Sequence, residues 1–548
     1  MRDNMLLLLR TFILLAFITA NGMVSIRAHE TMARDFYERE QVQEIRLTIS
    51  EMNLKKMKEA LPERIYVPAT FRWRDIRLEN IGVRFKGNSS SRPHQSHKRG
   101  YLIKVNEFKK GTRFLKLRRI ALDNGVQFGS LFSEPIVTDI LLDLEIPASR
   151  YNYAKLFINN DYQGIYGNVE RIDESFIESH FGSTKGPLFK VHMPGPGAGA
   201  TLSYAGDDPT LYKKGFEAKT KAAEKSYGEL IGLIRKIDKG DKSKYEQTLN
   251  KHLMFEHFIK TTAVMLFAGC FDQLTGWNPH NYYLYRNPIT NQWSYIPWDL
   301  DVGFADKAFR NVPVIDGWNA AWPIPGGPPK PILENIVANP KLLNKYRETA
   351  SFILEKYFKP EQLHSKIERL YDLIKKDLVN DPHPAKRITN PQDGGYDDII
   401  SSMKQFMHKR YRLARRQLDN PGPRPKPLKP QPQKHRHQEP NTGDLPNGPT
   451  DLMVISVTRN SVQLKWKDNA EHEAGHIVQR TDNKKGGVFR NHIPRPGRSE
   501  TSAIDVNVGP GKTYRYRVYT VFPTLNGPAG SKPSNIVSIT LPSKPVKK

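Results

Sequence analysis

Residues 267–304, FAGCFDQLTGWNPHNYYLYRNPITNQWSYIPWDLDVGF, hold the pattern from which the rest of the chain is read. The stretch opens on the end of an apolar helix and crosses a polar loop. It then presents two aromatic-rich runs, residues 281–286 and 292–298. Such runs favour strands, and Asn287-Pro288 with Asn291 supplies turn chemistry between them. The pattern predicts a β-hairpin. A hairpin brings its open ends together, so Asp272 and Asn281 before the first strand converge with Asp299 and Asp301 after the second. Carboxylates with an amide oxygen, one carboxylate remaining unligated, suit Mg²⁺ held against nucleotide phosphates.

Working outward, further blocks precede the hairpin: IGVRFKGNSSSR at 81–92, RIALDN at 119–124, and LFINNDYQGIYGNVERIDESFIESHFG at 156–182. With NYYLY, PWDLD and the upstream Asp272, these blocks resemble the CotH-type (spore coat protein H) secreted kinase family. The resemblance covers most of residues 44–418, in the family's order. It implies an atypical, kinase-like α+β domain that uses ATP with Mg²⁺ or Mn²⁺. The implied reaction is phosphorylation of Ser/Thr hydroxyls on secreted, coat or surface proteins.

Roles follow from that reading. Asp272 orients or deprotonates the acceptor hydroxyl, Asn281 and Asp299 bind the metal, and Asp301 is an outer ligand or supports the ligands. Phosphoryl transfer needs positioning and charge neutralisation more than a strong base, so ordinary carboxylates suffice. The interval from Asp272 to Asn281 is longer than the roughly five residues of the common kinase catalytic loop. Asn278 therefore competes as the amide ligand, while His280 reads as a hydrogen-bond donor that fixes the loop. The KGNSSSR segment is not a Walker motif and by pattern alone is a solvated loop. As a family block it makes Arg84, Lys86 and Arg92 phosphate-side candidates. The resemblance also places Glu170 at the nucleotide pocket, and a pairing of Glu170 with Lys190 would parallel the kinase Lys–Glu pair in reversed order.

Composition bounds the alternatives. The 548 residues allow two or three domains, and the net charge of +27 attracts ATP, acidic proteins and polyanionic envelope or surface polymers. No nucleic-acid motif accompanies the charge. Residues 1–28 have the layout of a signal peptide, with cleavage after Ala20 or Ala28, and no later segment is long and apolar enough to span a membrane. The expected location is thus secreted, or at the cell surface or envelope. The single cysteine, Cys270, permits no internal disulfide framework and reads as a buried small residue.

The expected layout is a kinase-like domain at 36–418, a Pro-rich basic linker at 419–448, an all-β unit at 449–542 and a tail at 543–548. Helices are predicted at 133–144, with Ser133 as N-cap, at 173–181, 230–237 and 245–267, as a pair within 332–378, and at 397–418. The terminal run RYRLARRQL reads as a solvated face. In the all-β unit, Trp466 on an early strand and the alternating TYRYRVYTVF resemble a fibronectin type III sandwich. Two other functions fit the composition: a non-catalytic surface adhesion protein, and a structural Ca²⁺ protein built on the same acids.

Overall fold

A computed structural model describes residues 33–87, 98–125, 131–192, 200–276, 279–308, 312–314, 318–324, 326–383, 385, 387, 390, 393–425, 448–470, 473, 475–482, 489–491, 500–522 and 529–543. The expected signal peptide, Arg92, Asn278 and most of the linker lie outside the described residues. The chain divides into two compact units, residues 1–430 and 431–548.

The first unit is mixed α/β. Its N-terminal strands alternate apolar and polar residues, so each buries one face. They are β1 (Val42–Thr48), β2 (Val67–Trp73), β3 (Ile76–Lys86), β4 (Gly100–Lys104), β5 (Arg119–Asp123), β6 (Tyr151–Ile158) and β7 (Asp161–Val169). In β2 the inward residues are Val67, Ala69, Phe71 and Trp73. The strands close in the order β1-β2-β3-β4-β5-β7-β6, and parallel pairing of β6 with β1 completes the barrel. Phe36, Trp73 and Phe114 meet edge to face within its core.

A second sheet runs β11-β10-β8-β9, from β8 (Leu188–Val191), β9 (Phe216–Ala218), β10 (Tyr282–Arg286) and β11 (Trp293–Pro297). The pair β10–β11 is the expected hairpin, with Tyr282 opposite Pro297 and Arg286 opposite Trp293. Its turn is held by Asn287, whose Oδ1 accepts from Ile289 N at 2.9 Å. Tyr282, Tyr283 and Tyr285 are fully buried, each contributing about 1.5–3 kcal/mol of apolar burial. The short strands β12 (Lys307–Ala308) and β13 (Val312–Pro313) pair nearby in sequence.

Helices supply the rest, and several depart from the sequence reading. The expected helix over 245–267 is two, Tyr245–His252 and Phe255–Ala268. Leu253 turns extended there and forms a bridge with Trp293, whose carbonyl accepts from Met254 N at 2.8 Å. Tertiary pairing with the hairpin thus overrides local helical periodicity. Residues 332–378 hold the helices Pro331–Ala338, Pro340–Tyr357 and Pro360–Leu378, each opened by a proline. Proline has no N–H to lose in a first turn, so it restarts a helix where it would break one. The helix Ser133–Asp143 takes Phe132, not Ser133, as its cap residue.

In the last helix, Tyr396–Asp419, the terminal basic run is not wholly solvated. Arg410 is buried and donates to Trp318 O at 2.6 Å and Leu266 O at 3.0 Å. Leu266 O lies in the last turn of Phe255–Ala268 and Trp318 O in a connecting segment, and a buried carbonyl needs a donor. Among the described residues no helix is long and apolar enough to cross a membrane.

One buried ion pair ties helix to barrel. Lys98 and Asp381 are each 1% exposed, with Nζ to Oδ2 at 2.7 Å. The same oxygen accepts from Ile165 N at 2.9 Å, while Oδ1 accepts from His383 N at 3.0 Å. Gly164, at φ +98°, makes room: a Cβ there would stand 2.3 Å from the carboxylate. Asp381→Ala takes the carboxylate from the Ile165 N–H and from the Lys98 ammonium, which keeps Ile165 O at 2.5 Å, so a stability loss of about 3–5 kcal/mol is expected in denaturant titration. A loss below about 1 kcal/mol would mean that water replaces the carboxylate at no cost.

The second unit is an all-β sandwich. One sheet is β14-β15-β18, from β14 (Thr450–Val457), β15 (Val462–Lys467) and β18 (Ser502–Asp505). The other runs β17-β16-β19-β20 with β21 also on β19, from β16 (Gly475–Thr481), β17 (Arg490–Asn491), β19 (Thr513–Phe522), β20 (Ala529–Gly530) and β21 (Val537–Thr540). Leu464 and Trp466 of one sheet share a core with Val478, Tyr514, Tyr516 and Val518 of the other.

Candidate active site

Alternation along β3 turns Val83 and Phe85 into the barrel and Arg84 and Lys86 outward. Lys86 pairs with Gly100 of β4, and Tyr101 pairs with Leu122 of β5. Lys86 and Asp123 therefore end their strands on one rim, with Gly100 between them. A Cβ on Gly100 would lie 3.4 Å from Lys86 Cβ and 3.1 Å from Leu122 O. With that space open, Lys86 Nζ forms an ion pair with Asp123 Oδ2 and lies 3.9 Å from Asp299 Oδ1.

The acids around this lysine act on one another. Burial disfavours the Lys86 ammonium, but Asp123, then Asp299, outweigh it and hold its pKa above the ordinary value. Burial likewise opposes ionisation of Asp123, and Lys86 overcomes it to hold the carboxyl below its usual range. Glu134, in the first turn of Ser133–Asp143, is pushed up to about 8 by burial, then by Asp123 and Asp299. Asp301 is raised well above its ordinary value by burial, then by Asp299, Asp123 and Glu134. Lys86 supplies one positive charge against this group. A divalent cation among such donors would favour their ionised forms.

Cations with little counter-charge face the acids. Lys190 of β8 sits opposite Tyr283 of β10, with its ammonium 5.9 Å from the ring centre. Burial, then Arg171, lower its pKa to about 7, against the pull of Asp299. The Arg171 guanidinium lies 4.5 Å over the Trp298 ring and donates to Tyr283 Oη at 3.5 Å. Its Nε is buried without a hydrogen-bond partner. Lys86 approaches the same Trp298 ring at 6.0 Å.

The hairpin mouth positions the remaining residues. Trp298 N donates to Asn281 O at 3.0 Å, and both Asn281 (φ +54°) and Asp299 (φ +61°) leave the ladder in the left-handed region. Asn and Asp tolerate that conformation better than most side chains. The Asp272 loop is pinned by its neighbour: Gln273 Nε2 donates to Trp298 O at 2.8 Å, and Tyr295 Oη donates to Gln273 Oε1 at 3.1 Å. Asp272 is 7% exposed, with His280 Nε2 at 4.0 Å from its Oδ2. The Cys270 thiol is pushed up by burial, then by Asp301, Asp272 and Glu134, so these acids surround it. A protonated, buried thiol has the character of a small core residue. Behind the corner, Arg387 donates to Gly303 O at 2.7 Å and Phe304 O at 2.5 Å.

The structure therefore brings Lys86 to Asp123 and Asp299, with Asp301 two residues on and Lys190 opposite Tyr283, while Asp272 stands beside His280. Asn281 is fixed at the mouth by its backbone. Arg84 instead stacks on Tyr66 at 5.3 Å and donates to Phe85 O at 3.0 Å. The expected Glu170–Lys190 pair is not formed. Glu170 is taken by Arg150, at 2.9 Å to Nε and 2.6 Å to the guanidinium NH₂, and it also accepts from Arg150 N at 3.1 Å. A buried carboxylate so satisfied has no reason to reach for a second cation.

Sequence reasoning missed Asp123, Glu134 and Arg171. Asp123 and Arg171 lie within blocks already quoted, one closing RIALD and the other following Glu170. Glu134 carries no signal beyond an acid in a helical first turn.

A profile of the CotH kinase protein family matches residues 83–414. The chain belongs to the CotH kinase family. The family span contains every site residue from Lys86 to Arg387. Inner spore coat protein H of Bacillus subtilis (strain 168) is 22% identical to this CotH-family chain over 347 residues, 62% of the chain and 89% of that relative. Among solved structures, a myokine structure aligns with 18% of the chain and 98% of its own length, at 18% identity and a TM-score of 0.15. The fibronectin type-III domain of human fibronectin type III domain containing protein 3 aligns with 18% of the chain and 90% of its own length, at 16% identity and a TM-score of 0.15. At these scores neither carries an argument, and the sandwich rests on its own strand pairing.

Proposed function

We propose that this chain is an ATP-dependent atypical protein kinase acting outside the cytoplasm, on Ser/Thr hydroxyls of secreted, coat or surface proteins. The observation that carries the reading is the juxtaposition of Asp123, Glu134, Asp299 and Asp301 with Lys86, Arg171 and Lys190. Mutually repelling acids fit a divalent cation, and partly neutralised buried cations beside them fit phosphate oxygens. Asp299 and Asp301 would hold Mg²⁺ or Mn²⁺, with Asn281 as the amide ligand. Lys86, Arg171 and Lys190 would face the phosphates. When bound, the metal supplies charge neutralisation along the transferring phosphoryl group. Asp272 orients the acceptor hydroxyl and receives its proton. The buried Arg171 Nε supports a missing anionic partner on that side.

A second reading, non-catalytic attachment to a surface, draws on the second unit. Met453 and Ile455 on β14 and Ile504 on β18 are 49%, 46% and 45% exposed, and an apolar outer face can dock a partner. The reading of that unit as fibronectin type III-like belongs to the same proposal, as does the basic surface taking polyanionic envelope polymers.

One experiment separates the readings. With labelled ATP and Mg²⁺, the parent is expected to transfer phosphate. Asp272→Asn is expected to bind Mg²⁺-ATP within a few-fold of the parent yet lose most transfer, because the group acts chiefly in the transition state. Equal transfer by this variant would remove Asp272 as the base and turn attention to Asp301. A parent that attaches to surfaces without any transfer would leave the adhesion reading standing.

A further inference from the structure

We propose that Asp468, Glu473 and His476 in the C-terminal sandwich form a binding site for a borderline divalent cation of the Zn²⁺ class. The three residues come from the end of β15, the connection that follows it, and the start of β16. One ligand atom from each lies within 4.8 Å of the others. Asp468 divides its carboxylate: Oδ1 accepts from Ala470 N at 3.1 Å, and Oδ2 faces His476 Nε2 at 3.4 Å.

The independent observation is the histidine. His476 is 0% exposed, and its Nε2 is buried without a hydrogen-bond partner although it points at Asp468. Its other nitrogen, Nδ1, lies 3.3 Å from Thr520 Oγ1, and the Trp466 ring packs 5.5 Å away. A ring whose Nδ1–H donates to a hydroxyl presents the Nε2 lone pair, the arrangement that orients an imidazole for a metal. In that tautomer the Nε2 lone pair and the two carboxylates converge on one point, where a cation would be coordinated by all three.

One imidazole with two carboxylates favours Zn²⁺ over Mg²⁺ or Ca²⁺, which prefer all-oxygen shells. Three protein donors leave a tetrahedral position for water or an incoming side chain. The site lies in a different compact unit from the acid cluster of the CotH-family domain and does not depend on its function.

The test is equilibrium dialysis of the full-length chain against Zn²⁺ in excess Mg²⁺, counting bound Zn²⁺. The linker histidines His435 and His437 are a competing source, so a His435→Ala/His437→Ala background is run in parallel. One equivalent is expected to survive in that background. Asp468→Asn and Glu473→Gln are expected to weaken it at least about tenfold, and His476→Gln to abolish it. Asp468→Asn keeps the acceptor for Ala470 N and so preserves the fold even if the buried His476 variant does not. Zn²⁺ binding that disappears with the linker histidines, or that is unchanged in Asp468→Asn and Glu473→Gln, overturns the proposal and leaves His476–Asp468 as a plain buried ion pair.

Discussion

Asp299→Asn is expected to lower phosphate transfer by at least about 10²-fold, the scale of losing one preorganised electrostatic contact. The expectation rests on the proposed metal role and on three features of the site. Asp299 is the acid at the hinge of the corner, 3.9 Å from Lys86, and it raises both Glu134 and Asp301. Its backbone is left-handed at φ +61°, a conformation asparagine adopts readily, so the exchange removes charge and keeps shape. Lys86 retains Asp123 as a partner. Deleting one of several repelling acids therefore leaves stability within about 1 kcal/mol of the parent. Transfer from labelled ATP and thermal unfolding, measured on the same preparation, check both halves. Undiminished transfer would remove Asp299 from the metal, and a large fall in melting temperature would show a structural role instead.

Arg387→Met is expected to cost as much stability as Asp381→Ala. Arg387 is 1% exposed and lies far along the chain from the hairpin, yet it caps the carbonyls of Gly303 and Phe304 just beyond the acid corner. Its other terminal guanidinium nitrogen donates to Ser402 Oγ at 3.2 Å and stands 3.7 Å from Asp393. Burial lowers its pKa to about 10, against the pull of Asp393, so the group remains charged at neutral pH. Removing it takes the donor from the buried Gly303 and Phe304 carbonyls and the counter-charge from Asp393, which keeps Asn390 and Ser402 as donors, at a cost of about 3–5 kcal/mol. Arg387→Lys should recover little, because one ammonium cannot span the separate acceptors that the planar fork reaches. Denaturant titration of both variants decides the point. An unchanged midpoint in Arg387→Met would mean that other contacts hold the corner.

Local signals in this chain were strong where the physics is local. The aromatic alternation of 281–286 and 292–298, with an Asn-Pro turn, specified the hairpin, because strand pairing across a short turn needs only neighbours. The closing of the hairpin ends, with Trp298 N donating to Asn281 O just before Asp299, was legible for the same reason. The single buried cysteine and the alternation of β19 around Tyr514 and Tyr516 also needed nothing beyond composition and period. Ordered family blocks carried the family itself, which no periodicity could.

What remained hidden depends on contacts between segments distant in sequence. Closure of the barrel by β1 and β6 put Lys86 and Asp123 on one rim, and no spacing rule joins residues that a glycine on an intervening strand allows to meet. Glu170 looked available to Lys190 until folding supplied Arg150, a better-placed and bidentate partner. The helix break at Leu253 and the burial of Arg410 have the same origin: a polar backbone group elsewhere needed a partner, and local propensity yielded to it. Sequence by itself determined the family, the hairpin and the candidate acids. Which cations face those acids was decided by tertiary structure, because charge pairing in a buried site is chosen by distance in space.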